Sequence, residues 1–136
     1  MEHLFFRSYL KDAWWYTVEY KGTFFNIYNK SRLPFDSVAI RSTRYHKKTT
    51  EVLHYKNEND TCAVFWVLSS TGYTLKPYYD LRMKDSYVKA KFSPRSDCWK
   101  EFKNVTERRK TKQIYYKSCQ YAVNKKLREP TSTKLF

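Results

Sequence analysis

Residues 61–68 read Thr61-Cys62-Ala63-Val64-Phe65-Trp66-Val67-Leu68, an apolar run that follows a polar segment. The length of the run and its aromatic and β-branched content predict a buried β-strand. A polar turn at residues 69–72 follows, and residues 73–83 and 87–92 predict two further strands. All three cysteines lie between residues 61 and 119. This stretch therefore predicts a sheet that leads into a helix bearing the second cysteine.

A helix is predicted at about residues 94–109. Ser93 is a suitable N-cap, Pro94 suits the first helical position, and Asp97 favours the positive end of the helix dipole. One face of this helix carries apolar residues at helical spacing, namely Cys98, Phe102 and Val105. Such a stripe is typical of a helix that packs against a sheet.

The composition predicts one mostly β domain. The chain has 136 residues, enough for a single core, and holds 13 Tyr and 9 Phe but only 2 Gly. Short segments at near-regular spacing predict further strands, namely residues 14–20, 23–28, 37–45 and 51–55. The pair Lys21-Gly22 predicts the hairpin turn between the first two of these. Residues 1–12 predict either a short helix or an edge strand.

The end of the chain predicts little regular structure. Residues 113–121 predict an extended or irregular segment that contains the last cysteine. Residues 124–136 are basic and rich in Ser and Thr, which predicts a flexible tail. The folded domain is therefore predicted to span residues 1–123.

The net charge of +14 predicts attraction to polyanions such as nucleic acid, heparin-like glycans or acidic membranes. One group of cations lies on and after the predicted helix: Lys100, Lys103, Arg108, Arg109, Lys110 and Lys112, extended by Lys125, Lys126 and Arg128. A second group consists of Arg41, Arg44, Lys47 and Lys48. Such runs are often no more than a solvated face, so the alternative function is that of a basic secreted protein that binds polyanions or a host protein through its outer surface.

Three glycosylation sequons and three cysteines together favour a secreted protein. The sequons are at Asn29, Asn59 and Asn104. No apolar run reaches the roughly 18 to 20 residues that a membrane span needs. Residues 1–7 do not form a signal peptide, because Arg7 interrupts a short apolar segment. We therefore expect a secreted protein whose leader is absent from this chain.

The segment from Cys62 to Cys119 resembles the tick salivary lipocalins, the family that includes the tick histamine-binding proteins. In that family one strand begins Cys-Asp-aliphatic, a second carries Glu-Leu-aromatic, a cysteine follows at a helix, and a last cysteine closes the fold. The corresponding residues are Cys62-Ala63-Val64, Asp80-Leu81-Arg82, Cys98 after Pro94, and Cys119. The resemblance implies an antiparallel lipocalin-like β-barrel with one C-terminal α-helix packed across it. The N-terminal half matches only as a pattern of strands, which indicates a truncated or diverged barrel.

The cysteines allow more than one state. By sequence alone, three cysteines permit three single pairings, and three reduced buried thiols are the alternative. The resemblance implies a disulfide between Cys62 and Cys98. It also implies an unpaired Cys119, because the family's partner for the last cysteine lies in an early strand and no cysteine precedes Asp60.

The resemblance implies a cavity that holds a small ligand, with Asp80 and Arg82 in its wall. Because these residues are two apart on a strand, they share a face. If that face is the interior, Arg82 competes with an amine for the carboxylate and suits an anionic or amphipathic ligand. If it is not, the two form a solvated surface pair. The other ligand-binding candidates are Tyr78, Trp66 and Glu19, of which Trp66 has a core alternative and Glu19 a surface alternative.

The expected function is non-enzymatic binding by a secreted monomer. Its ligand would be a small host inflammatory mediator, held away from host receptors to evade host defence. The family implies a biogenic amine such as histamine or serotonin, whereas Ala63 and Arg82 favour an amphipathic lipid mediator. Enzyme chemistry is not expected: the three histidines are scattered and no Gly-rich phosphate loop is present. No cofactor or metal is expected either, and a glycosaminoglycan is the alternative partner.

Overall fold

The computed structural model describes residues 2–27, 34–44, 47–71, 74–84, 97–107, 109–112, 114, 116–128 and 133–135. The elements in chain order are β1 (Glu2–Lys11), β2 (Trp14–Phe25), β3 (Ser37–Ser42), β4 (Lys48–Lys56), β5 (Cys62–Thr71), β6 (Thr74–Met83), α1 (Asp97–Thr106), α2 (Lys117–Arg128) and β7 (Thr133–Leu135). The protein is therefore mostly β, as predicted. No helix within these residues is long and apolar enough to cross a membrane.

Strands β1 to β6 form one antiparallel meander in which each strand pairs with the next in the sequence. Arg7 on β1 and Arg82 on β6 both contact Glu51 on β4. Adjacent strands lie about 4.8 Å apart, so a flat sheet would hold β1 about 14 Å from β4. The sheet therefore curls until its two edge strands face the middle of one concave surface. The short strand β7 pairs with β2 in parallel, at Trp15–Thr17.

The first hairpin turns earlier than the sequence predicts. β2 runs without a break through Lys21-Gly22, and the predicted turn at this pair is wrong. The turn lies at Asp12 and Ala13, whose φ angles of 51° and 65° are those of a two-residue type I′ turn. A Cβ on the glycine of the Lys21-Gly22 pair would lie 3.1 Å from Phe5 and 3.1 Å from Val38. The glycine thus allows close packing within the sheet.

Helix α1 packs on the outer face of the sheet, against β4, β5 and β6. A disulfide joins Cys62 on β5 to Cys98 on α1, which is the pairing that the resemblance implied. Cys98 and Val64 are both 0% exposed and lie in the core between helix and sheet. The helix ends at Thr106, before the predicted residue 109, because Glu107 has a φ of 48°. Ser93 and the predicted strand 87–92 lie outside the described residues.

The described residues after α1 include a helix that the sequence did not predict. Helix α2 occupies part of the segment that was predicted to be irregular and continues to Arg128, inside the predicted tail. The side chains of Gln120 and Asn124 bond one turn apart at 3.0 Å. Lys125, Lys126 and Arg128 lie in its last turn, where cations stabilise the negative end of the helix dipole. The basic run that suggested a flexible tail therefore belongs to a helix C-terminus.

Candidate functional site

The concave face is built from residues that alternate with those under α1. Phe5 pairs with Tyr20, Glu51 with Val67, and Val67 with Tyr78. Residues directly opposite each other in antiparallel strands project to the same side, so these side chains share the interior of the curl. The floor of this face is apolar and closely packed, with Val18, Ile40 and Val67 exposed by 4% or less.

A buried glutamate lies at the centre of the concave face. The Glu51 side chain is 5% exposed, and both Nη atoms of Arg7 donate to its Oε1 at 3.2 Å. Arg82 donates from Nη1 to Glu51 Oε2 at 2.7 Å and from Nε to Asp80 Oδ2 at 3.0 Å. We call Arg7, Glu51, Asp80 and Arg82 the interior ion network. It joins both edge strands of the sheet to its centre.

The charges of this network stabilise one another. Burial alone would raise the pKa of Glu51, but the hydrogen bond and charge of Arg82, and then those of Arg7, outweigh it and lower the pKa. Burial alone would lower the pKa of Arg82, but Glu51 and Asp80 outweigh it and raise the pKa. Burial and then the charge of Asp80 raise the pKa of Tyr78. Near neutral pH, Glu51 and Arg82 are therefore charged and Tyr78 keeps its proton.

Aromatic rings fix both guanidinium groups in place. The Arg82 guanidinium lies 4.4 Å from the ring centre of Phe65. The Arg7 guanidinium lies 5.3 Å from the ring centre of Phe5 and 5.9 Å from that of Tyr20. Cation–π contacts of this kind add to the ion pairs and restrict where the planar groups can point. The arginines are thus held in defined positions before any ligand arrives.

An open pocket of about 240 Å³ lies against the interior ion network. Its lining is Arg7, Tyr20, Ile40, Lys47, Thr49, Glu51, Ser69, Tyr78, Asp80 and Arg82. Three of these side chains are cationic and two are carboxylates, while four carry hydroxyl groups. A wall of cations and hydroxyl donors suits an acidic group, and the single aliphatic side chain offers little to an apolar one.

No model of a known protein family matches this chain, and no curated protein matches it significantly. A function is therefore inferred from the concave face itself and from the residues that carry the resemblance to the tick salivary lipocalins. Of those residues, only Asp80 and Arg82, both on β6, line the pocket.

The structure brings together three of the five predicted ligand-binding residues. Asp80 and Arg82 bond to each other on the concave face, and Tyr78 lines the same pocket. Trp66 pairs with Tyr79 on β6, so both lie on the outer face. Glu19 pairs with an outer-facing residue of β1 and also lies on the outer face. The prediction that Trp66 and Glu19 share the pocket with Asp80 is therefore wrong, because their position in the strand alternation points them away.

Residues from the N-terminal half complete the pocket, and the sequence analysis missed them. The most important are Arg7, Tyr20 and Glu51. The sequence contains a signal for them, because Arg7 lies on the same side of its strand as Phe5, and Glu51 on the same side as Leu53. A charged residue on the apolar side of a strand either carries a partner or lines a cavity.

The other sequence candidates lie away from the pocket. Cys119 is free and half-buried, and its Sγ accepts a bond from Tyr116 N at 3.4 Å. Asn59 and Asn104 are exposed, whereas Asn29 lies outside the described residues. His54 Nε2 lies 2.8 Å from Glu101 Oε1, linking β4 to α1. Among the described residues, no three His, Cys, Asp or Glu side chains are grouped to hold a metal ion.

Proposed function

We propose that this protein is a secreted, non-enzymatic, lipocalin-like binding protein that holds a small amphipathic anion by its acidic head group. One observation carries the proposal: two arginines from opposite edges of the curled sheet meet at Glu51 beside an open pocket. The body of the ligand would extend out of the polar pocket along the mouth of the curl.

The interior ion network favours an anion over an amine. Glu51 and Asp80 already accept bonds from arginine, so an amine would meet carboxylates whose charge is paired with guanidinium groups. A guanidinium has five N–H donors. Among the described residues, Arg7 and Arg82 each use two of these donors on carboxylates, which leaves three further donors on each guanidinium group. The Arg7 and Arg82 side chains are 47% and 37% exposed, so an incoming carboxylate can reach them.

The biological role follows from the resemblance to the tick salivary lipocalins. We propose that the ligand is a fatty-acid-derived host mediator rather than histamine or serotonin, and that binding keeps it from its receptors. The disulfide at Cys62–Cys98 supports a secreted protein, because such bonds persist in oxidising compartments. A small acid at a defined head-group site requires only one copy of the chain, so a monomer is proposed.

Calorimetric titration with a matched pair of ligands tests the head-group assignment. A leukotriene free acid and its methyl ester share the same apolar body but differ in charge. We expect the acid to bind at least about tenfold more tightly than the ester, since the charged hydrogen bonds contribute roughly 1.4 kcal/mol or more. Histamine and serotonin are expected to give no heat. Equal binding of acid and ester, or tighter binding of either amine, would overturn the proposal.

Substitution of Arg7, on edge strand β1, tests whether the ligand binds in this pocket. Arg7→Gln removes one guanidinium from the pocket and should weaken binding of the acid about tenfold. Lys11→Gln removes the same charge from the exposed far end of β1 and should leave binding unchanged. Tyr78→Phe keeps the ion network and removes one hydroxyl, which gives a second test if Arg7→Gln unfolds. Wild-type affinity in both pocket variants would rule out this site.

A further inference from the structure

Three cations lie side by side on the outer face of the sheet. Lys21 on β2 pairs with Arg41 on β3, and Arg41 pairs with Lys48 on β4. Each of them neighbours a residue of the concave face in its strand, so all three point outward. We call Lys21, Arg41 and Lys48 the cationic row. It crosses three strands, a width of about 10 Å.

The cationic row is poorly neutralised within the protein. Lys21 pairs with Glu2 at 3.2 Å. In the described part of the chain, no carboxylate lies within ion-pair distance of Arg41 or Lys48, and both are exposed. Like charges directly opposite each other in a sheet are destabilising. An anionic partner with regularly spaced charges would remove this repulsion, so the row is complementary to a linear polyanion.

We propose that the cationic row binds a linear sulfated polysaccharide. Single-stranded nucleic acid is usually held by aromatic rings interleaved with cations. The nearest residues on the same face of the three strands are Glu19, Thr23, Ala39 and Thr50. None of these is aromatic, and the exposed ring of Phe6 on β1 lies opposite Glu19, beyond the end of the row rather than between its cations. Two of the nearest residues offer hydroxyl groups that can bond sulfate or sugar oxygens. The disulfide also suits an extracellular protein, which meets sulfated polysaccharides.

This surface is separate from the concave pocket. Lys47 precedes Lys48 in the chain but lines the pocket on the opposite face. The two sites therefore face away from each other through the thickness of one sheet. Binding at the cationic row does not depend on the head-group proposal, and the two can fail independently.

Matched charge-removal variants test the site with a heparin octasaccharide. Arg41→Gln/Lys48→Gln removes two cations of the row, and Lys110→Gln/Lys112→Gln removes two exposed cations elsewhere. At about 0.15 M salt the first should bind about tenfold more weakly than wild type, and the slope of log K against log salt should fall by about 2. The control should change the affinity less than about twofold. Equal losses in the two variants would show that only net charge matters and would overturn the site.

Two further measurements complete the test. Arg41→Gln/Lys48→Gln relieves repulsion, so its urea midpoint should equal or exceed that of wild type, which shows that weaker binding is not unfolding. Single-stranded and duplex DNA of similar charge should bind at least about tenfold more weakly than the octasaccharide at the same salt concentration. DNA binding as tight as that of the octasaccharide, and lost in the same variant, would overturn the polysaccharide assignment.

Discussion

The two faces of the sheet are held by different physical means. On the outer face, α1 covers Val64 completely and a disulfide fixes the helix to β5. On the concave face, a buried glutamate and two arginines draw the edge strands together. The outer contact is mainly apolar and covalent, with one polar link between His54 and Glu101, whereas the interior contact is ionic and can exchange partners. Contacts on the outer face therefore hold the shape of the sheet, while the concave face keeps an open pocket.

Loss of the disulfide should have the largest effect. Cys62→Ala/Cys98→Ala removes a crosslink between residues 36 apart in the sequence. Chain-entropy reasoning predicts that the free energy of unfolding falls by about 4 kcal/mol, measured by urea denaturation. Cys119→Ala, at the free and half-buried thiol, should lower it by less than about 0.5 kcal/mol. A loss under about 1 kcal/mol in the double variant would mean that the outer contact is not the main constraint.

Removal of the central carboxylate charge should have the next largest effect. Glu51→Gln leaves two arginines on the concave face without their shared anion. We expect the free energy of unfolding to fall by about 2 kcal/mol, less than for a fully buried pair because both arginines can reach water. Glu2→Gln breaks the exposed pair with Lys21 and should lower it by less than about 0.5 kcal/mol. Equal effects of these two substitutions would contradict a central role for Glu51.

The contribution of Glu51 on the concave face to stability should depend on pH. The pKa of Glu51 is lowered on folding from the ordinary glutamate value of 4.5. The stabilisation by its charge is therefore fully present above that value and is lost as the pH falls through the lowered pKa of the folded protein. The difference in unfolding free energy between wild type and Glu51→Gln should be constant near neutral pH and shrink below pH 4.5. A difference that grows on acidification would show that the sign is wrong.

The smallest effect is expected at the uncovered end of the outer face. Phe6 on β1 is 63% exposed, far from α1, while Val64 is 0% exposed beneath it. Phe6→Ser should change the free energy of unfolding by less than about 0.5 kcal/mol. Val64→Ala should lower it by about 1 to 3 kcal/mol, because it leaves a cavity. Similar losses in the two variants would indicate that β1 is covered in solution.

The sequence predicts the C-terminal part of the sheet better than the site. Strand β5 is an apolar run bounded by polar residues, and β6 alternates apolar with charged residues from Tyr79 to Met83, so both patterns are readable from the chain alone. The first hairpin was misplaced because a turn at Asp12-Ala13 lacks glycine, while the one nearby glycine serves packing. The contact of Arg7 with Glu51 spans 44 positions and exists only because the sheet curls. Local patterns do not encode curvature, so seven of the ten residues that line the pocket were not predicted to bind a ligand.

Arg7 and Arg82 lie on the first and last strands of the β1–β6 meander. The affinity for the proposed ligand would therefore depend on how easily the sheet bends. Any unbending separates these two side chains before it disturbs the strands between them. A ligand that bonded to both guanidinium groups would link strands β1 and β6 and would favour the more strongly curled conformations of the sheet. By thermodynamic reciprocity, a partner that bound the outer face and increased the curl would also increase the affinity for that ligand.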